Sequence, residues 1–222
     1  MSILSCLDNN AYFEIVVGPM FSGKTTRLIE TYKKCQICNI PVVVINHSLD
    51  VRYSDNMLSS HDKNMIACWN VTSLDDVCNM TKIHNDYMIC DKHEECNELH
   101  NCKLITDKYS IDLYESICKA KVILINEAQF FTNLKPNIGQ LLRLNKHIYI
   151  YGLDGDFKRN KFGEILDLIP LCDKIVKLHA LCLICKNGTP GIFSLRLSQE
   201  IDQVLIGFDN YIPVCRNCYE KH

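Results

Sequence analysis

The chain has 222 residues, 47% of them apolar and 23% charged, with a formal net charge of −2. That length holds one large domain, or one domain with a small module, and the composition excludes a wholly disordered chain. The small net charge gives no electrostatic reason for stable nucleic-acid binding. No apolar run approaches the ~20 residues that span a bilayer, so no membrane partner is expected either.

The first residues carry no basic region, and their apolar run is too short for a secretory signal. A cytoplasmic location is therefore expected. Fourteen cysteines would suit a disulfide framework in a small secreted chain, but in this larger one they are expected to stay reduced.

Residues 12–17 form a short, β-branched apolar run that predicts a buried strand. It leads into Gly18-Pro-Met-Phe-Ser-Gly-Lys-Thr25, which fills the G-x-x-x-x-G-K-[ST] pattern of a phosphate-binding loop. Such a loop points backbone N–H groups at the β-phosphate. Lys24 would neutralise the β/γ oxygens and the Thr25 hydroxyl would ligate Mg²⁺. From Thr25 on, Leu28, Ile29 and Tyr32 share one helical face, with lysines toward the C-terminal end. The helix N-terminus would help to hold the anion. An ordinary glycine turn before a helix is the alternative, and the strand–loop–helix order argues against it. Cys35 and Cys38, with only Gln36 and Ile37 between, read as core or partly buried thiols.

Further strands are predicted at 42–46, 122–126, 147–152 and 174–178. Leu134, Ile138, Leu141, Leu142 and Leu144 recur at helical spacing. This alternation predicts a mainly parallel sheet covered on both faces, with its ligand at the carboxyl ends of the strands. Residues 54–110 show no convincing periodicity and read as a long functional or partly disordered loop. Within it, Cys90, His93, Cys96, His100 and Cys102 are either a loosely spaced metal set or an unliganded surface loop.

Residues 180–222 break the pattern again, with strand-like stretches at 192–196 and 204–206. Two C-x-x-C pairs, Cys182/Cys185 and Cys215/Cys218, can complete a closed, structural Zn²⁺ shell. Zinc contributes on the order of 10 kcal/mol to folding such modules. The rival reading, redox-active pairs, usually involves a single pair opening a helix.

Pro19-Met-Phe21 inside the loop is not generic. With Asn126-Glu-Ala-Gln-Phe-Phe131, Leu153-Asp-Gly-Asp-Phe157, Phe162-Gly163 and the two C-x-x-C pairs, the chain closely resembles the type II (cellular and poxviral) thymidine kinases. The resemblance covers nearly the whole chain apart from an insertion around 70–110. It implies a P-loop α/β kinase domain over 1–179, with helices on both faces of the sheet, and a small zinc-binding lasso domain over 180–222. It also implies transfer of the γ-phosphoryl of ATP to the 5′-hydroxyl of thymidine, in nucleotide salvage, by a homotetramer. With four residues after Cys218, the chain is expected to lack the C-terminal regulatory tail of some cellular relatives.

Residue by residue, the resemblance places Gly18, Pro19, Met20, Phe21, Ser22, Gly23, Lys24 and Thr25 on the phosphates and Mg²⁺. Asp50, Arg52, Asn126 and Gln129 join them there. Met20, Phe130, Leu153, Phe157 and Phe162 would form an apolar slot for thymine, with Ser194, Val204 and Tyr211 contributed by the lasso. Without the resemblance, most of the slot residues would read as core.

Glu127 aligns with the family's general base. A carboxylate at the end of a buried strand can take the hydroxyl proton, and an unperturbed glutamate is ionised at pH 7. Standing alone, it would more often be a helix cap or a surface charge. Arg52 would offer a planar cation to the transferring phosphoryl, or else form a surface salt bridge. Ser194 stands where relatives often have threonine, which would loosen the contact to the base's 5-methyl group.

Asn126 departs from the family's usual aspartate. An amide can accept from a magnesium-bound water but brings no negative charge, so either the metal site is weaker or catalysis is impaired. The alternatives to a thymidine kinase are such an impaired nucleotide-binding relative or a deoxynucleoside kinase of broader preference. A zinc-ribbon nucleic-acid binder is disfavoured by the charge and by the absence of a basic aromatic strip.

Overall fold

The computed structural model describes residues 10–50, 57–59, 64–75, 108–205, 207 and 209–222. Along the chain come β1 (Tyr12–Val17), α1 (Lys24–Ile37), β2 (Val42–His47), the short β3 (Met57–Ser59) and β4 (Met65–Ala67), then β5 (Trp69–Val71). There follow α2 (Lys108–Lys119), β6 (Val122–Ile125), α3 (Leu134–Arg143), β7 (His147–Gly152) and β8 (Lys174–Lys177). The C-terminal part holds β9 (Ala180–Leu181), β10 (Pro190–Gly191), β11 (Phe193–Arg196), β12 (Tyr211–Val214) and α4 (Arg216–Tyr219).

One six-stranded sheet runs in the order β5-β2-β6-β7-β1-β8, and every pair in it is parallel. Its strands are unbroken apolar runs because both faces are covered. On one face Ile123, Ile125, Ile148 and Ile150 pack against Leu113 and Ile117 of α2 and Leu134, Ile138 and Leu141 of α3. On the other, Val16, Val44, Leu124, Tyr149 and Tyr151 meet Leu28, Ile29 and Cys35 of α1. Each fully buried Leu, Ile or Val contributes about 1.5–3 kcal/mol, so this double layer is the main source of stability. Glu14 is a buried acid inside β1, and it is held by the Tyr12 hydroxyl at 2.9 Å, Arg27 at 3.1 Å and Lys174 at 3.2 Å.

Three expectations need correction. The stretch from 54 to 110 is not all irregular: β3 and β4 pair antiparallel, β5 adds to the sheet edge beside β2, and α2 covers the sheet. Strands of three residues are too short to display an alternation. Val204 and Leu205 are irregular, and the partner of β11 is β12, with Pro213 opposite Ser194. Proline disguised that strand, yet a two-stranded sheet has edges where its missing N–H goes unneeded. Cys35 is buried, and burial raises its thiol pKa to about 11, whereas Cys38 is exposed at the end of α1. The cluster from Cys90 to Cys102 lies outside the described residues. No helix among the described residues is long and apolar enough to cross a membrane.

Candidate active site

The carboxyl ends of β1, β2, β6 and β7 converge on one cleft, walled by residues 20–26, Leu49 and Asp50, Glu127, Gln129 and Phe130, and Leu153 with Asp156 and Phe157. The loop after β1 closes its floor. Gly23 precedes α1 at φ 83°, a left-handed conformation that a side chain would strain, and Phe21 is left-handed too at φ 63°. Lys24 is buried, and its ammonium donates to the carbonyls of Gly18 at 3.1 Å and Pro19 at 2.7 Å. Thr25 lies on the cleft wall beside it. The Ser22 hydroxyl is buried with no hydrogen-bond partner among the described residues. A buried orphan hydroxyl costs stability unless something satisfies it, and a phosphate oxygen is the acceptor that this loop suits.

Glu127 follows β6 in a left-handed conformation, φ 51° and ψ 41°. Backbone strain of this kind persists where the surroundings over-determine it. Gln129 supplies one constraint: its Nε2 donates to Glu127 Oε2 at 2.6 Å, while its Oε1 accepts from the backbone N–H of Leu153 at 2.9 Å. Gly163 supplies another. It sits at φ 62°, and a Cβ there would lie 2.1 Å from the Gln129 carbonyl oxygen, so only glycine lets the chain pass. The reading of Gln129 as a phosphate-side residue is thus refined: it lines the cleft and also holds Glu127 to the end of β7.

Around the apolar half of the cleft stand Met20, Phe130, Leu153, Phe157, Phe162, Ser194, Val204 and Tyr211. Phe130 and Phe162 meet edge to face, with centroids 5.6 Å apart and planes at 89°. Ser194 is not idle beside them, since its Oγ accepts the backbone N–H of Met20 at 2.9 Å. Asp156 receives N–H donors from Lys158 and Asn160 and, at 2.9 Å, the side chain of Gln203. Gln203, Leu205 and Leu49 line the cleft although nothing in the sequence gave them a role, and Asp156, part of the Leu153–Phe157 motif, joins them there.

Asn126 behaves differently from its neighbour. It is buried and absent from the cleft wall. Its Nδ2 donates to Asn46 Oδ1 at 2.9 Å, and Asn46 Nδ2 donates in turn to Asn70 Oδ1 at 2.9 Å. Three amides therefore form a one-directional ladder across β6, β2 and β5. Asp50 reaches the cleft wall, with its N–H bonded to the His47 carbonyl at 2.9 Å. Arg52 lies outside the described residues.

His47 ends β2 behind the slot, 5.5 Å from the Phe130 ring and 4.7 Å from Phe131. Its Nδ1 accepts the N–H of Leu49 at 3.1 Å. Burial lowers its pKa below the usual 6.5, partly offset by the Thr72 backbone and the Glu127 charge. A histidine kept neutral when folded contributes its full stability above 6.5, and that contribution is lost as the pH falls toward the lowered folded value. Thermal unfolding followed from about pH 8 to pH 5 should show a steeper acid decline for the parent than for His47→Gln. Equal slopes would remove His47 from this account.

The four cysteines meet in the C-terminal module. Cys182, Cys185, Cys215 and Cys218 place their sulfurs within 4.8 Å of one another, with Cys185 at 3.7 Å from Cys215 and 3.4 Å from Cys218. A Zn–S bond of about 2.3 Å implies tetrahedral edges of about 3.8 Å, so the cluster fits zinc with no position left for water. Burial works against a Cys182 thiolate, but the backbone N–H groups of Cys185, Cys215 and Ile184 outweigh it and lower that thiol. The neighbouring sulfurs on balance raise Cys185 and Cys218, so in the cluster without a metal one thiol ionises at the expense of the others. Metal binding needs that deprotonated form. β9–β10, β11–β12 and α4 are held around this cluster, and Tyr219 of α4 donates its hydroxyl to the carbonyl of Phe157 at 2.6 Å.

A glycine loop between a buried parallel strand and a helix, with an acid beyond a neighbouring strand, defines a P-loop α/β protein built for phosphoryl groups. The family model described as thymidine kinase matches residues 11–109 and 85–219. Thymidine kinase of monkeypox virus is 34% identical over 212 residues, covering 95% of this chain and 98% of its own. Thymidine kinase of Choristoneura fumiferana entomopoxvirus is 35% identical over 213 residues, covering 94% and 96%. Thymidine kinase of Oryza sativa subsp. japonica is 35% identical over 208 residues, covering 92% of this chain and 65% of its own. The chain belongs to the thymidine kinase family. Among solved structures, one described as a DNA replication initiation factor superposes with a TM-score of 0.37 at 12% identity, over 75% of this chain and 40% of its own, a likeness too loose to carry an argument.

Proposed function

We propose that the chain is an ATP- and Mg²⁺-dependent thymidine kinase that transfers the γ-phosphoryl group of ATP to the 5′-hydroxyl of thymidine. One observation carries the reading: Glu127, fixed by Gln129 at 2.6 Å, shares a single cleft with the phosphate loop and the Phe130–Phe162 pair. The thymine ring lies in the apolar slot, and the sugar's 5′-oxygen points toward Glu127. That oxygen attacks the γ-phosphorus as Glu127 takes its proton. The bond from the γ-phosphorus to the bridging oxygen breaks and ADP leaves. Lys24 and the loop N–H groups neutralise charge on the phosphates. When bound, Mg²⁺ would supply positive charge to the phosphate oxygens, and Thr25 and Asp50 on the cleft wall would hold it.

The kinase domain spans 1–179 and the lasso domain 180–222. By family, the assembly is a homotetramer located in the cytoplasm, and sedimentation of the purified chain tests the former. ATP-dependent phosphorylation across a panel of nucleosides tests the reaction. Thymidine 5′-monophosphate is the expected product, and its absence would overturn the reading.

Asn126 gives a sharper test of the metal. Asn126 lies off the cleft wall but immediately precedes Glu127, so Asn126→Asp puts a negative charge one residue behind the cleft, in a buried setting where Coulomb terms exceed their value in water. The Mg²⁺ concentration for half-maximal rate should fall about tenfold, equivalent to about 1.4 kcal/mol, with thymidine's KM little changed. The same substitution faces a carboxylate oxygen with Asn46 Oδ1 and opposes the amide ladder, so stability should drop by about 1–3 kcal/mol. An unchanged Mg²⁺ titration would place Asn126 remote from the metal.

A further inference from the structure

We propose that Arg196 is the positioning residue that holds the lid, residues 198–205, and the Phe157 ring in place over the nucleoside slot. This rests on the thymidine kinase reading for what fills the slot, but not for the geometry itself. Arg196 is 8% exposed. It shares a face of β11 with Ser194, two residues earlier, and both are buried. Its Nε donates to the Tyr211 hydroxyl at 3.1 Å, one terminal nitrogen to the carbonyls of Glu200 at 2.9 Å and Asp202, and the other to Gln203 at 3.1 Å and again to Tyr211. All five guanidinium donors are thereby used. The flat face of the same group lies 3.6 Å from the centroid of Phe157.

The lid has few other means of holding its shape. Its described residues form no strand or helix, and Ile201 is 78% exposed. Backbone carbonyls in such a segment need donors, and one planar fork supplies three of them. Arg196 does not line the cleft; it acts through Tyr211, Gln203 and Phe157, which do. The cation over Phe157 also fixes the tilt of a ring expected to border the base. β11 thus carries a residue tied to the phosphate loop and, one pleat further on, the residue that gathers the lid.

Lysine cannot replace it, because an ammonium is a point charge with three donors and no plane to stack. In Arg196→Lys, amide hydrogen exchange of residues 198–205 in the ligand-free protein should be at least about tenfold faster, while α1 and α3 exchange as in the parent. The thymidine KM should rise about tenfold or more, with the ATP KM within about threefold and a smaller change in kcat. Tyr211→Phe removes the oxygen that takes two of the donors, together with that hydroxyl's 3.4 Å bond to the Leu205 carbonyl, and it should shift both readouts the same way by less. Unchanged exchange in both variants would overturn the proposal, as would a thymidine KM that stays put while the lid loosens. If the parent phosphorylates no nucleoside, the kinase reading falls alone, because the exchange measurement still decides whether Arg196 holds the lid.

Discussion

Glu127→Gln is expected to lower kcat for thymidine phosphorylation by about 10²–10⁴, the usual size of a general-base contribution, while ATP binding stays within a few-fold. The amide keeps the shape of the side chain but cannot accept the proton. Its backbone is not the issue, since glutamine tolerates the left-handed conformation at φ 51° no better and no worse than glutamate. Gln129 already donates to this carboxylate at 2.6 Å, and a glutamine at 127 can still offer its carbonyl oxygen to that donor. The substitution therefore isolates proton transfer from architecture. Single-turnover rates with pre-bound ATP are the measurement, and a variant within about threefold of the parent would remove Glu127 from the role.

Cys215→Ser should be nearly as severe, by a different route. Loss of one thiolate opens the zinc shell, and binding worth on the order of 10 kcal/mol goes with it. The structural consequence runs through α4: Tyr219 holds the Phe157 carbonyl at 2.6 Å, and its ring lies 4.4 Å from the Arg159 guanidinium. A released α4 frees Phe157 at the slot, so the thymidine KM should rise much more than the ATP KM. Elemental analysis should find one zinc per parent chain and none in the variant. Freshly purified, reduced parent protein without zinc would refute the site, and a second equivalent would support the cluster from Cys90 to Cys102.

Much of this was readable in the residues. The phosphate loop is a contiguous octapeptide, and the four long buried strands are apolar runs whose meaning does not depend on distant partners. The cysteine pairs carry their spacing with them. What escaped was set by tertiary contact. β12 contains Pro213, and only its pairing with β11 makes it a strand. β3, β4 and β5 are too short for any alternation to register. Asn126 was legible as a departure, but its ladder to Asn46 and Asn70 joins residues 80 and 24 positions apart. Gln129 was placed near the phosphates by resemblance, yet its grip on Glu127 depends on a turn that Gly163 alone admits. Arg196 is a lone arginine between Leu195 and Leu197 in a strand-like stretch, and no local pattern hints at five donors in use.

The 2.9 Å bond from the Met20 N–H to Ser194 Oγ makes the two substrates thermodynamically dependent on each other. Met20 belongs to the loop that faces ATP, and Ser194 to the strand that leads into the lid. Separating them strands a partly buried donor, at a cost of about 1–3 kcal/mol. Any shift of the loop on nucleotide binding is therefore felt at the nucleoside side as a change in affinity. Linkage makes that effect reciprocal: whatever factor ATP applies to thymidine's dissociation constant, thymidine must apply to that of ATP. A kinase joined in this way binds its two substrates with linked affinities, whichever of them arrives first.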